Sequence, residues 1–152
     1  MIAVRKALPA DAQAMSAVLI ASITELCTAD HHGNPEALAS WLANKTPAGV
    51  AAWFANPDNT LFVAEHDGEI AACGGFNTGR KIILNYVAPR HRFVGASKAL
   101  LQAMEAALGP GEATLDSTRT ASRFYLDAGW QKAGPPEPYR LVEGHPMRKV
   151  LG

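Results

Sequence analysis

With 152 residues, 48% of them apolar, the chain is long enough to bury one sizeable core and short for two domains. Fourteen Lys and Arg balance fourteen Asp and Glu, with no basic run to neutralise a phosphate backbone, which argues against nucleic acid as the main partner. No apolar stretch reaches the roughly eighteen residues of a bilayer span, and the start, Met1-Ile-Ala-Val-Arg-Lys-Ala, lacks the order of a secretory signal. The expectation is one domain over residues 1–152, cytoplasmic, with no membrane partner and with Cys27 and Cys73 as free thiols.

Residues 2–6 read as an edge strand. Pro9 and Asp11 open a helix whose apolar positions Met15, Val18, Leu19, Ile23 and Leu26 share one face, ending near Cys27. Asn34-Pro35 and Thr46-Pro47 are further start signals, the first leading to Leu38, Trp41 and Leu42, the second to Val50, Trp53 and Phe54. The helical spacing of these aromatics favours core packing over a ligand pocket.

The period then changes. Residues 61–66 and 70–76 flank Asp67-Gly68, a tight-hairpin signal, and Gly74 to Gly79 reads as the end of the second strand. A third apolar strand spans 81–87, and a helix spans 94–108 with Ala99, Leu100, Ala103 and Ala107 facing inward. Residues 113–116 form another strand, 118–128 a last helix closed by Gly129, and the tail holds two strands around Gly134-Pro-Pro-Glu-Pro. A mixed α/β layer fold follows.

The chemistry-bearing stretch is the junction from Tyr86 to Leu101, where an apolar strand stops at Pro89, a basic loop follows, and a helix begins. A helix start leaves amides without intrahelical partners and favours negative charge. Gly95 permits close backbone approach there, and Arg90 and Arg92 add charge. The junction therefore suits an anion such as a pyrophosphate.

At these residues the chain resembles the GNAT superfamily of N-acetyltransferases. Its pyrophosphate loop runs Arg or Gln, two residues, Gly, one residue, Gly or Ala, which Arg92, Gly95 and Ser97 match. Ser97 departs from the usual residue but is small and keeps its amide. Downstream, Ala121, Tyr125, Gly129 and Trp130 match a second family spacing. The resemblance implies a mixed, mostly antiparallel sheet with helices on both faces and a splayed central strand. It also implies acetyl-CoA as cofactor, held by Tyr86, Val87, Arg92, Phe93, Val94, Gly95, Ala96, Ser97 and Tyr125.

The implied activity is direct acetyl transfer to a primary amine of a small molecule or peptide. Tyr125 would protonate the leaving thiolate, its alternative being a core aromatic beside Phe124. The family often carries a carboxylate on the central strand, whereas Lys81-Ile-Ile-Leu-Asn-Tyr-Val has none, so Glu65 and Asp116 are the expected bases, acting through water. That missing carboxylate keeps a non-catalytic CoA-binding or sensing module as the alternative function. His31 and His32 are the expected acceptor-pocket residues, and the oligomeric state, monomer or homodimer, is left open. Cys27 and His31 make half a metal site with no second pair, so no metal is expected.

Overall fold

The computed structural model describes residues Met1–Gly152. Eight strands form the sheet: β1 (Ile2–Lys6), β2 (Asn59–His66), β3 (Glu69–Asn77), β4 (Lys81–Val87), β5 (Gly111–Ser117), β6 (Gln131–Lys132), β7 (Glu137–Tyr139) and β8 (Val142–Leu151). Their spatial order is β1-β2-β3-β4-β5-β8-β6, with β7 paired to β8 beside that path. Every pairing is antiparallel except β4 with β5. The helices are α1 (Ala12–Leu26), α2 (Thr28–His31), α3 (Pro35–Leu42), α4 (Pro47–Ala55), α5 (Ala96–Leu108) and α6 (Ser122–Asp127).

Strand alternation sorts the core into two faces. Phe62 and Ala64 of β2 point to the side packed by α5, with Leu100, Met104 and Trp130. Leu61 and Val63 point to the opposite side, against Met15 and Leu19 of α1 and Val50 of α4. A third cluster joins Ile23 of α1, Trp41 of α3 and Val142 of β8. Helices thus cover both faces.

The start signals hold as local chemistry. The Asn34 side chain accepts from the amides of Glu36 and Ala37, and Thr46 accepts from Gly49. Such caps are each worth about 1 kcal/mol. Asp67 and Gly68 both have positive φ, the geometry of a two-residue hairpin turn.

Strand β3 ends at Asn77, within the segment from Gly74 to Gly79; a Cβ on Gly75 would sit 2.7 Å from Leu61 Cδ2 and 2.9 Å from Thr60 O, so strands β2 and β3 can meet there only without a side chain. Two readings need correction. Helix α5 begins at Ala96 and buries Ala96, Leu100, Leu101 and Met104; Leu100 faces inward as expected, but the larger Leu101 and Met104 fill the core in place of Ala99, Ala103 and Ala107. The tail holds three strands, since Glu137–Tyr139 also pairs with β8.

Two side-chain networks fix α5 and α6 against the sheet. Arg80 donates to the carbonyls of Leu108, Gly109 and Glu112, at 2.8 Å each, closing the C-terminal end of α5. Glu105 of α5 accepts from Trp130 Nε1 at 3.1 Å and from Lys149 Nζ at 2.9 Å, joining α5, the end of α6 and β8.

Candidate active site

The parallel ladder between β4 and β5 is only two pairs long, Lys81 with Thr114 and Ile82 with Leu115. Beyond Ile82 the strands diverge and leave a wedge. On the other side β4 continues to pair with β3, and Ala88 donates to Ala71 O at 2.7 Å. Antiparallel ladders alternate their hydrogen-bonding direction every residue. Tyr86 therefore directs its peptide groups at β3, while Asn85 and Val87 present theirs to the wedge. The expected pair Tyr86 and Val87 is thus half-shifted, because alternation makes Asn85 the second cleft-facing backbone.

A cavity of about 440 Å³ fills the wedge, lined by the start of α5, by α6 and by Ser22, Leu26 and Cys27 at the end of α1. Its mouth is the loop from His91 to Gly95. Phe93 has φ +65° and is 92% exposed, and Gly95 caps α5 at φ +88° with no side-chain acceptor bonded to the first turn. Apart from glycine, residues reach that region only with strain. The first internal bond is Ala99 N–H to Gly95 O, so the amides of Gly95, Ala96, Ser97 and Lys98 point out of the helix end without backbone acceptors. Arg92 lies over the Phe93 ring, and no carboxylate pairs with it or with Lys98. Arg90, by contrast, is bonded to Glu69 and is not a free cation at this mouth.

Tyr125 reaches the same cavity from α6, 6% exposed, with ring contacts to Phe124 and Trp130 at 5.2 and 6.1 Å. Burial pushes its phenol up to about 12, with the Asn85 side chain acting in the opposite direction. It therefore keeps its proton at neutral pH. Asn85 Oδ1 is itself buried without a donor, an orphaned acceptor in the wall of the wedge.

A second cavity, about 280 Å³, opens on the α3 and α4 side. Both cavities are lined by Ile82, Ile83, Leu84, Tyr86, Asp116, Ser117 and Thr118, the residues flanking the divergence of β4 and β5. Asp116 pairs with Lys81 at 2.6 Å across this divergence. The outer wall comes from Trp41, Trp53, Lys45 and Tyr139. Burial raises the Tyr86 phenol well above its ordinary value, against which Trp41 acts weakly.

The family model described as an acetyltransferase (GNAT) domain matches residues 27–151. The chain belongs to this family. It is a GNAT-type acyltransferase with acetyl-CoA as cofactor, which decides for an enzyme over a binding module. A search of the curated proteins finds no match. Among solved structures, a GCN5-related N-acetyltransferase of Rhodopseudomonas palustris is 24% identical, covering 98% of this chain and 95% of its own, with TM-score 0.85. The PaiA N-acetyltransferase of Thermoplasma acidophilum, solved with coenzyme A, is 17% identical over 99% of both chains, with TM-score 0.78. The YncA protein of Salmonella typhimurium, solved with acetyl-CoA, is 17% identical over 99% of this chain and 94% of its own, with TM-score 0.69.

Within this acetyltransferase, three expected site residues lie away from both cavities. Glu65 is on β2, two strands from the wedge, and accepts from Arg5 Nε at 3.0 Å. His31 is 3% exposed, bonding Ile23 O through Nε2 at 2.9 Å and accepting from Gly33 N through Nδ1 at 3.0 Å, so both ring nitrogens are used in closing α1 onto α2. His32 is exposed at the end of α2 with φ +54°. The helix α2 contributes through Asp30 instead. That carboxylate accepts from Arg119 N, Thr120 N and Thr120 Oγ1, pinning the approach to α6 and hence Tyr125. Asn85 and Lys45 line the two cavities and were not among the expected residues. A polar residue within the apolar run of the central strand was the available signal for the first, and none marked the second.

Proposed function

We propose that this acetyltransferase moves the acetyl group of acetyl-CoA directly to a primary amine of a small molecule or peptide. The observation that carries the reading is the pair of adjoining cavities that share one set of residues at the β4–β5 divergence. Two reactants, one in each cavity, would meet there, so that positioning alone removes much of the barrier.

The residues present fit an acyl-CoA. The outward amides of Gly95 to Lys98, with Arg92 and Lys98 nearby, suit a pyrophosphate. The peptide groups of Asn85 and Val87 suit the amide-bearing pantetheine arm. Bound acetyl-CoA supplies the acyl group and a thiol leaving group. The Val87 amide is the donor placed for the carbonyl oxygen as charge grows on it. Asp116, lining both cavities, accepts the proton released by the attacking amine, through water. Tyr125 holds a proton at Oη for the sulfur as the carbon–sulfur bond breaks and the carbon–nitrogen bond forms. Two buried free thiols, Cys27 and Cys73, suit a reducing compartment such as the cytoplasm.

The test is thiol release from acetyl-CoA against a panel of primary amines, with CoA affinity measured by calorimetry in parallel. Amine-dependent release with stoichiometric N-acetyl product supports the reading. Tight CoA binding with no amine-dependent release across small amines and peptides overturns it.

A further inference from the structure

The second cavity contains one charge without a counter-ion. Four side chains of full charge line it: Lys45, Lys81, Asp116 and Glu143. Lys81 and Asp116 pair with each other at 2.6 Å, and Glu143 pairs with Arg119 at 3.1 Å. Lys45 has no carboxylate within ion-pairing distance. It is nevertheless buried at 3% exposure, in the connection between α3 and α4.

Its position is built by long-range contacts. The Lys45 carbonyl accepts from buried Ser16 Oγ of α1 at 2.6 Å, which holds the backbone. Its ammonium donates to Asn44 Oδ1 at 2.7 Å and to Tyr139 Oη at 3.3 Å, both residues of the same cavity wall. An ammonium has three donors, and two are used. Arg140 approaches the Tyr139 ring from β7's end, its Cζ 5.9 Å from the centroid, and also lacks a carboxylate partner. Two cations therefore flank one phenol ring with no anion between them. An unpaired buried charge is costly, and evolution of a stable core alone favours an apolar side chain at such a place.

We infer that Lys45 is the anchor for a negatively charged group on the acceptor, so that the substrates are small primary amines bearing a carboxylate, with amino acids as the type. This rests on the amine-transfer reading above and names the substrate class of its acceptor cavity. The carboxylate sits at Lys45, and the amino group reaches toward Asp116 and Ser117 at the divergence of the strands. The cavity's size, about 280 Å³, lies near the low end for ligand pockets, which suits a compact zwitterion. Burial and the nearby Arg140 lower the Lys45 ammonium to about 8, and an anion beside it would raise it again.

The experiment compares matched acceptor pairs, each amino acid against its decarboxylated amine, for example phenylalanine with phenethylamine and tryptophan with tryptamine. Thiol release gives kcat/KM for wild type, Lys45→Met and Lys45→Arg. An aminoalkylphosphonate arm distinguishes a carboxylate site from a general anion site. Wild type is expected to favour the carboxylate member by at least about tenfold. That preference should collapse to near unity in Lys45→Met and partly return in Lys45→Arg, with CoA affinity unchanged throughout. Equal rates for both members of each wild-type pair, equal losses for both in Lys45→Met, or a preference for the phosphonate over the carboxylate would overturn the assignment. Thermal-shift titration with N-acetylphenylalanine and N-acetylphenethylamine separates this from failure of the transfer reading. Stabilisation by the acid alone, lost in Lys45→Met, supports the Lys45 site even without turnover, and equal response to both sinks it.

Discussion

Replacing Tyr125 by phenylalanine removes one oxygen and keeps the ring that packs against Phe124 and Trp130. If the phenol were only structural, the cost would be about 1 kcal/mol of stability and little else. In the proposed role it donates to sulfur as negative charge develops, an interaction worth about 1.5–3 kcal/mol in the transition state. At about 1.4 kcal/mol per factor of ten, that lowers kcat by roughly 10- to 150-fold. The loss should stay near the low end of general-acid effects. A phenol at about 12 is a much weaker acid than an ordinary thiol near 8.5, so proton transfer is incomplete when the carbon–sulfur bond breaks. Steady-state thiol release at saturating acetyl-CoA and amine measures kcat, and calorimetry should find CoA affinity within about twofold of wild type. The deficit should shrink for acyl donors with a more acidic leaving thiol. A kcat within twofold of wild type, where chemistry limits turnover, would refute the assignment and return Tyr125 to the core.

Three further outcomes are expected. Gly95→Val forces a branched residue to φ +88° at the helix start, costing about 1–2 kcal/mol of stability and weakening CoA binding at least about tenfold; unchanged affinity in a folded variant removes the amide cradle. Glu65→Gln should leave kcat within about threefold, because Glu65 lies on β2 beside Arg5 and lines neither cavity; loss of turnover with CoA binding intact would restore it as a base. Lys45, facing Asn44, Tyr139 and Arg140, has a folded pKa lowered to about 8. The unfolded chain therefore binds more protons between about pH 8 and 10.4, and stability rises with pH across that window. Urea midpoints at pH 7 and 10 should show that rise in wild type and not in Lys45→Met, and parallel behaviour of the two would contradict it.

The order of elements and the strand-to-helix junction at Gly95 were legible because their signals are local. Caps at Asn34 and Thr46, the Asp67-Gly68 turn, and the strand-to-helix junction around Gly95 each act within a few residues. The second cavity was not legible, because it is assembled across the chain. Lys45 meets Tyr139 over 94 positions, and Glu65 is taken by Arg5 over 60, neither visible as a spacing. The histidines misled for the opposite reason. His31 occupies a polar loop by sequence, yet its two ring nitrogens are consumed by Ile23 and Gly33 in a local staple. Asn85 stood in view on the central strand, but its orphaned oxygen and its neighbour Tyr125 come together only once α6 packs onto the sheet.

The central claim is that acetyl-CoA lies in the wedge between β4 and β5 with its thioester at the junction of the two cavities. A crystal structure of the protein with CoA tests this most directly. The account predicts pyrophosphate oxygens on the amides of residues 95–98, pantetheine amides paired with the backbone of Asn85 and Val87, and the sulfur within hydrogen-bond reach of Tyr125 Oη. A CoA seated outside the wedge, or one in the wedge with its sulfur remote from Tyr125 and from Asp116, would contradict it.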